Sequence, residues 1–313
     1  MVVRYTIIVP HYNNFQGIIN LILSIPQRSD LEIIIVDDNS ELKVLNQLKN
    51  LMIKSNKFSM SLYLNDSGVK GAGSARNIGL KKAIGKYLLF CDSDDYFVNG
   101  AFDILDSKIN RDDFDIYYFK PTSRCLITGE QSDRHIPYSK LIDDYLIGNN
   151  QNIRYKYYVP WSKVFLRKYI VDNKYKFDQV IASNDVMFSL ISASKARILA
   201  SEETFYCVTR GVGTLTVNFS KKVLSSRLMV SLAESKYIYD NNINVEKDSV
   251  FSLVKKSKFT ISYAEFKSVL QSYNKGHVRL FPESYIGYLS SPKKIYRRLF
   301  SEKLSINNKK YKG

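Results

Sequence analysis

The chain has 313 residues, 46 Lys+Arg against 30 Asp+Glu for a formal net charge of +16, with 45% hydrophobic and 24% charged residues. That composition fits one large globular domain or two ordinary ones and excludes collagen-like repeats and wholesale disorder. The basic excess favours an anionic partner, whether nucleic acid, a membrane surface or a phosphorylated substrate, without choosing among them.

Along the chain, Tyr5–Val9 follows the N-terminus directly and reads as a first strand rather than a secretory signal, and no apolar run approaches the roughly 18 residues of a membrane span. A cytoplasmic location is therefore expected. Further strands are predicted at Glu32–Val36, Ser61–Leu64, Tyr87–Cys91 and Asp115–Phe119, several of them apolar throughout, as strands buried on both faces are. Between them, Phe15–Ile25, Glu41–Ile53, Ser74–Ile84 and Ala101–Ile109 carry apolar residues at helical spacing, so an α/β doubly wound arrangement is expected. Residues 121–160 show few periodic runs. Helices are then predicted at Trp161–Val171 and Asp185–Ser194, a short strand at Thr204–Val208, and helical pieces at Val223–Tyr239, Val250–Tyr273 and Tyr285–Phe300.

Cys91, Cys125 and Cys207 form no Cys-x-x-Cys pair, which fits a reducing compartment, and the widely separated His11, His135 and His277 offer no zinc spacing. The segment Ser291–Gly313 carries eight Lys/Arg against Glu302. Within it Ile295, Tyr296, Leu299 and Phe300 fall at helical spacing among cations, a pattern that suits peripheral attachment to an anionic membrane and equally a solvated basic tail.

In a doubly wound sheet, ligands bind beyond the carboxyl ends of the strands. Those positions hold Pro10-His11-Tyr12-Asn13, Asp37-Asp38-Asn39-Ser40 and Asp92-Ser93-Asp94-Asp95. Asp38-Asn39-Ser40 alone fits a helix N-cap equally well, but two acidic clusters at one sheet edge repel each other unless a cation or a ligand's donors offset them. Asp92-Ser93-Asp94, after an apolar strand, offers hard oxygen ligands to Mg²⁺ or Mn²⁺. Gly71-Ala72-Gly73-Ser74-Ala75-Arg76 departs from the dinucleotide fingerprint in its last position and in its place after the third strand, so no nicotinamide or flavin is expected. The loop's N–H groups and Arg76 suit a phosphate, and a flexible loop with a solvent-exposed arginine is the plain alternative.

Taken together, Ile7-Ile8-Val9-Pro10-His11-Tyr12-Asn13, Ile35-Val36-Asp37-Asp38-Asn39-Ser40, Gly73-Ser74-Ala75-Arg76-Asn77-Ile78-Gly79-Leu80 and Gly85 through Asp95 resemble the family 2 glycosyltransferases of the GT-A fold, in order and spacing. A weaker likeness to bacterial capsule, O-antigen and lipopolysaccharide-core enzymes continues through Trp161-Ser162-Lys163-Val164-Phe165, Ala182-Ser183-Asn184-Asp185, Tyr206 and Gly213-Thr214-Leu215-Thr216. The resemblance implies a doubly wound mixed sheet followed by a mostly helical C-terminal region. It divides the chain into a nucleotide-sugar half at 1–120, an acceptor-binding half with the base at 121–219, and a helical region at 220–313.

It further implies that Pro10 and Tyr12 lie against the nucleotide base, that Asp38 binds uracil, and that Arg76 lies near the nucleotide pocket. Asp92 faces the ribose, with Ser93 beside it in the donor-binding segment, and Asp94 faces the metal-diphosphate. The family's Glu-Asp pair, whose Asp is the catalytic base, is here Asn184-Asp185, which keeps the base and loses the Glu. Without the resemblance, Asp185 reads as a helix N-terminal acid. The implied activity is inverting transfer of a hexose or N-acetylhexosamine from a UDP-sugar to a hydroxyl of a growing bacterial surface glycan, assisted by Mn²⁺ or Mg²⁺. The expected partners are a nucleotide sugar, a glycan or glycolipid acceptor and an anionic membrane surface, and not nucleic acid. Two rivals are weaker. A sugar-phosphate nucleotidyltransferase would carry a Gly-rich basic loop where Pro10-His11-Tyr12-Asn13 stands, and a nucleic-acid-binding protein, suggested by 23 tyrosines and the basic charge, would lack a reason for acidic strand ends.

Overall fold

The computed structural model describes residues 2–54, 59–109, 113–211, 219–246, 248–258 and 260–282. The chain divides into two compact units, Met1–Phe219 and Ser220–Gly313.

In the first unit, β1 (Tyr5–His11), β2 (Leu31–Asp37), β3 (Ser59–Leu64) and β4 (Tyr87–Phe90) are joined by α1 (Phe15–Leu23), α2 (Leu42–Lys54) and α3 (Ala72–Lys82). Every residue of β1, β2 and β4 is buried, which is why these segments are mostly apolar. Successive side chains of β1 enter different layers: Ile7 and Val9 pack with Leu21 and Phe102, while Ile8 packs with Ala75 and Phe90. On the second face Gly79 of α3 meets β1 so closely that a Cβ there would stand 2.5 Å from Ile8 Cγ2.

After β4 come β5 (Tyr96–Phe97), α4 (Ala101–Lys108), β6 (Ile116–Phe119), β7 (Thr122–Cys125), α5 (Ile136–Gly148), α6 (Asn152–Lys156), β8 (Lys163–Leu166), α7 (Arg167–Asp172), α8 (Val186–Ser194), β9 (Ile198–Ser201) and β10 (Tyr206–Arg210). The main sheet has the order β3-β2-β1-β4-β8-β6-β9, and β5-β10-β7 form a second sheet. β8 runs antiparallel to both β4 and β6 while the other pairs of the main sheet are parallel, so the sheet is mixed, as expected.

Several expectations are corrected. Trp161–Val171 is not one helix. Ser162 is left-handed at φ +54° and Lys163–Leu166 pair on both sides as a central strand, so α7 starts only at Arg167. Residues 121–160 contain β7, α5 and α6, and β9 was not foreseen. The strand expected at Thr204–Val208 sits two residues later, at Tyr206–Arg210.

The second unit contains α9 (Lys221–Asp240), α10 (Val250–Lys256) and α11 (Tyr263–Asn274), around Leu228, Leu232, Leu253, Val269 and Val278. The single helix expected at Val250–Tyr273 is broken by a left-handed Lys258 and by a fresh capping box at Ser262. The helix expected at Tyr285–Phe300, the basic segment Ser291–Gly313 and Gly213-Thr214-Leu215-Thr216 lie outside the described residues. Among the described residues no helix is long and apolar enough to cross a membrane.

Candidate active site

The carboxyl ends of β1, β2 and β4 lie side by side, because β1 pairs in parallel with both neighbours. At the first two, the adjacent acids differ in role. Asp37 is buried and accepts hydrogen bonds from His11 Nδ1 (2.9 Å), Ser40 Oγ (2.6 Å) and Ser40 N (2.9 Å). Burial alone would raise its carboxyl, but these bonds outweigh it and hold the group below the usual carboxylate range. Asp37 is thus a fastener between strand ends. Asp38 is also buried, and its Oδ1 accepts from Asn65 Nδ2 at 2.6 Å. Pro10 is buried in β1, whereas the Tyr12 ring is half exposed, with Lys70 Nζ 3.7 Å from its centroid. An aromatic face with its cation and a buried carboxylate thus stand at the ends of the paired strands β1 and β2.

At the end of β4 the turn Asp92–Asp95 closes with Asp95 N donating to Asp92 O (3.1 Å). Ser93 contributes through its backbone: its carbonyl approaches Gly17 so closely that a Cβ there would lie 2.5 Å away. Carboxylate oxygens of Asp92, Asp94 and Asp95 lie within 4.8 Å of one another. Asp95 is fully buried and tied to β10, accepting from Tyr206 Oη and Thr209 N at 2.7 Å each. Tyr206 Oη in turn accepts from Asp92 N at 3.0 Å, and its ring stacks on the buried Trp161 at 6.0 Å. The second sheet thus holds the acidic turn in shape. Burial, and then the Asp92 charge, push the Asp94 carboxyl above its ordinary pKa; Arg134 opposes them. Crowded, partly desolvated carboxylates of this kind are relieved by a divalent cation. With Asp95 committed to β10, Asp94 and the free oxygen of Asp92 are the fitting ligands.

Arg76, in the second turn of α3, is buried and joins two distant segments. Its Nη2 donates to Asp92 Oδ1 (2.5 Å), its Nη1 to Asn184 Oδ1 (2.8 Å), and its Nε is buried with no protein partner. The helix can come this close only because residue 73 is glycine, where a Cβ would stand 2.1 Å from Asp178 O and 2.9 Å from Asn184 Cβ. Asp185 follows at the N-cap position of α8, yet its side chain makes no capping bond. Its carboxylate is therefore not explained as a helix cap. Burial raises its pKa, while the Arg76 and Lys163 charges pull it back down. A carboxylate raised in this way and left free of capping suits a general base.

The structure thus brings Arg76, Asp92, Asp94 and Asn184-Asp185 together, and places Pro10, Tyr12 and Asp38 at the neighbouring strand ends. It adds residues that had no role assigned from the sequence. Lys163 is buried in β8, donates Nζ to Tyr157 O (2.7 Å) and lies 4.5 and 4.9 Å from the ring centroids of Tyr157 and Tyr118. Burial drives its amine well below its ordinary pKa, opposed by Asp185. Lys163 and Tyr206 lay in resembling segments; Asn65, Lys70, Arg134 and Tyr138 carried no signal beyond residue type.

Residues 6–172, just over half of the chain, match the family described as Glycosyl transferase family 2. The protein belongs to that family. As a family 2 glycosyltransferase it is 24% identical over 215 residues to the poly(ribitol-phosphate) β-N-acetylglucosaminyltransferase TarS of Staphylococcus aureus, an alignment covering 66% of this chain and 36% of TarS. The chain thus spans about a third of the length of that relative. It is 25% identical over 248 residues to the GalNAc(5)-diNAcBac-PP-undecaprenol β-1,3-glucosyltransferase of Campylobacter jejuni, covering 78% of this chain and 77% of that enzyme. Among solved structures, S. aureus TarS 1-349 in complex with UDP-GlcNAc superposes with a TM-score of 0.64 at 19% identity, over 87% of this chain and 80% of that one. A Pyrobaculum calidifontis mannosyltransferase, in complex with GDP-Man and Mn²⁺, gives a TM-score of 0.51 at 12% identity, covering 96% and 83%. These likenesses bear out the GT-A fold.

Proposed function

We propose that this glycosyltransferase moves a hexose or N-acetylhexosamine from a UDP-sugar to a hydroxyl of a bacterial surface glycan, with inversion at the anomeric carbon. The observation that carries this reading is the double bond of Arg76: one guanidinium joins Asp92 of the acidic turn to Asn184, the residue before the uncapped Asp185. The diphosphate end and the base are thereby parts of one site. The UDP-GlcNAc bound to TarS and the surface-glycan acceptors named for TarS and the Campylobacter enzyme support the substrate classes.

In this reading Asp94 and Asp92 hold Mn²⁺ or Mg²⁺, which when bound neutralises charge on the departing UDP. Tyr12 and Pro10 flank the base and Asp38 accepts from it. Arg76 keeps Asp92 and Asn184 at a fixed spacing through its two Nη bonds. Asp185 takes the proton of the acceptor hydroxyl as that oxygen bonds to the anomeric carbon and the bond to UDP breaks. The leaving diphosphate needs no proton, so one carboxylate suffices, unlike glycoside hydrolysis. Residues 1–120 act as the donor half and 121–219 as the acceptor half.

The anomeric configuration of the product tests this. NMR of the new linkage made from an α-linked UDP-sugar is expected to show a β-linkage; an α-linkage would require a covalent or front-face route that a lone base does not provide. The basic segment Ser291–Gly313, outside the described residues, is proposed to hold the enzyme on the inner membrane face, since each cation near an anionic surface contributes about 1 kcal/mol, screened by salt. Full-length protein is expected to co-sediment with phosphatidylglycerol vesicles at low salt and protein ending at Ser290 is not; equal sedimentation of the two would reject the anchor.

A further inference from the structure

Arg134 lies between β7 and α5, outside every motif read from the sequence. Its Nη1 donates to Thr209 O at 2.6 Å. The same Thr209 donates its hydroxyl to Asp94 O (2.8 Å) and its N–H to Asp95 Oδ1 (2.7 Å). One residue of β10 is therefore gripped by the acidic turn on one side and by Arg134 on the other, which fixes the guanidinium beside the proposed metal ligand. Two further neighbours place it. The charge of Arg134 acts on Asp94 and on the hydroxyl of Tyr138, and Tyr138 also feels Asp185. The guanidinium is thus held next to the acidic turn through Thr209.

The remaining N–H groups of Arg134 have no protein partner among the described residues, and no carboxylate lies within ion-pair distance. The adjacent Asp133 pairs instead with Arg210, at 2.7 Å. A guanidinium pinned by one N–H to a backbone carbonyl, half-buried, with the rest of its fork open, is preorganised for a planar bidentate anion. A neutral sugar hydroxyl would leave that charge unanswered. Carboxylates on either side would repel an arriving anion, and a cation at this point offsets them.

We infer that Arg134 is a phosphate-binding residue of the transferase site, contacting either the diphosphate of the donor or a phosphate carried by the acceptor. The inference rests on the reading of the site as a UDP-sugar transferase site. It goes beyond that reading by naming a phosphate contact from the acceptor half of the chain.

Calorimetric titration of wild type, Arg134→Met and Arg134→Lys in Mn²⁺ separates the two sources. One arm uses UDP and uridine; the other uses UDP-loaded protein with sn-glycerol 3-phosphate and glycerol. A charge-assisted bond of this kind corresponds to a loss of about 10-fold or more. For a donor contact, Arg134→Met binds UDP about 10-fold more weakly while uridine binds as in wild type. For an acceptor contact, UDP affinity is kept and the preference of the loaded protein for glycerol 3-phosphate over glycerol is lost. In either case Arg134→Lys falls between, because an ammonium keeps the charge and loses the fork. Arg134→Met that matches wild type in both arms, or that weakens uridine as much as UDP, overturns the inference. Failure of wild type itself to bind UDP is a separate result and overturns the underlying reading instead.

Discussion

Asp185→Asn is expected to lower sugar transfer by about 10² or more, the range of a lost general base, with UDP affinity nearly unchanged and an unfolding midpoint no lower than that of wild type. The physical case is that the substitution is isosteric and breaks no capping bond, since the Asp185 side chain makes none. What it removes is basicity at a group whose environment has raised it. Burial displaces the Asp185 pKa upward from the ordinary carboxylate value, so the base is protonated, and transfer lost, at a pH above the usual carboxylate range of about 4. Wild-type rate should rise with pH through that raised value, and the Asp185→Asn residue should lack the acid limb. Loss of UDP binding along with activity would make Asp185 a structural residue.

Asp94→Asn is expected to abolish divalent-dependent turnover while leaving the protein folded. Its effect on stability has the opposite sign to its effect on activity. A carboxyl whose folded pKa lies above its unfolded value costs stability as pH rises through that interval, so at neutral pH the ionised Asp94, pushed up by burial and by Asp92, opposes folding in the metal-free protein. A neutral amide removes that repulsion, and the metal-free variant should melt no lower than metal-free wild type. Added Mn²⁺ should raise the melting temperature of wild type and not of the variant. Near wild-type activity of Asp94→Asn in Mn²⁺ would mean that the metal site is wrongly placed.

The donor edge was legible because its signals are local. Pro10 lies at the end of β1 and Tyr12, Asp38, Asp92 and Asp94 come within four residues after a buried strand, and strand ends in a doubly wound sheet are where ligands bind. The partners that make these residues a site were not legible, because they come from far along the chain: Tyr206 reaches Asp92 across 114 residues and Asn184 reaches Arg76 across 108. Arg134 sits in a segment without apolar periodicity, where one arginine among 46 basic residues carries no sign of its neighbours. In the fold, β8 was misread because a central strand between two others holds apolar residues on both faces, and its buried Lys163 breaks the apolar run. α5 escaped notice because His135 at its N-cap makes no side-chain capping bond, which left Pro137 in its first turn as an isolated start signal. In the second unit the reverse occurred: Ser262 is a capping residue in plain view, but continuous apolar spacing across it suggested a single helix.

The central claim is that the ends of β1, β2 and β4 form a metal-assisted site for a uridine diphosphate. Titration of wild-type protein with UDP and GDP, in Mn²⁺ and again in EDTA, tests it most directly. UDP is expected to bind in preference to GDP, and to bind about tenfold or more weaker, a loss of about 1.4 kcal/mol or more, once EDTA removes the metal. Equal UDP affinity in Mn²⁺ and EDTA, or tighter binding of GDP, would contradict it.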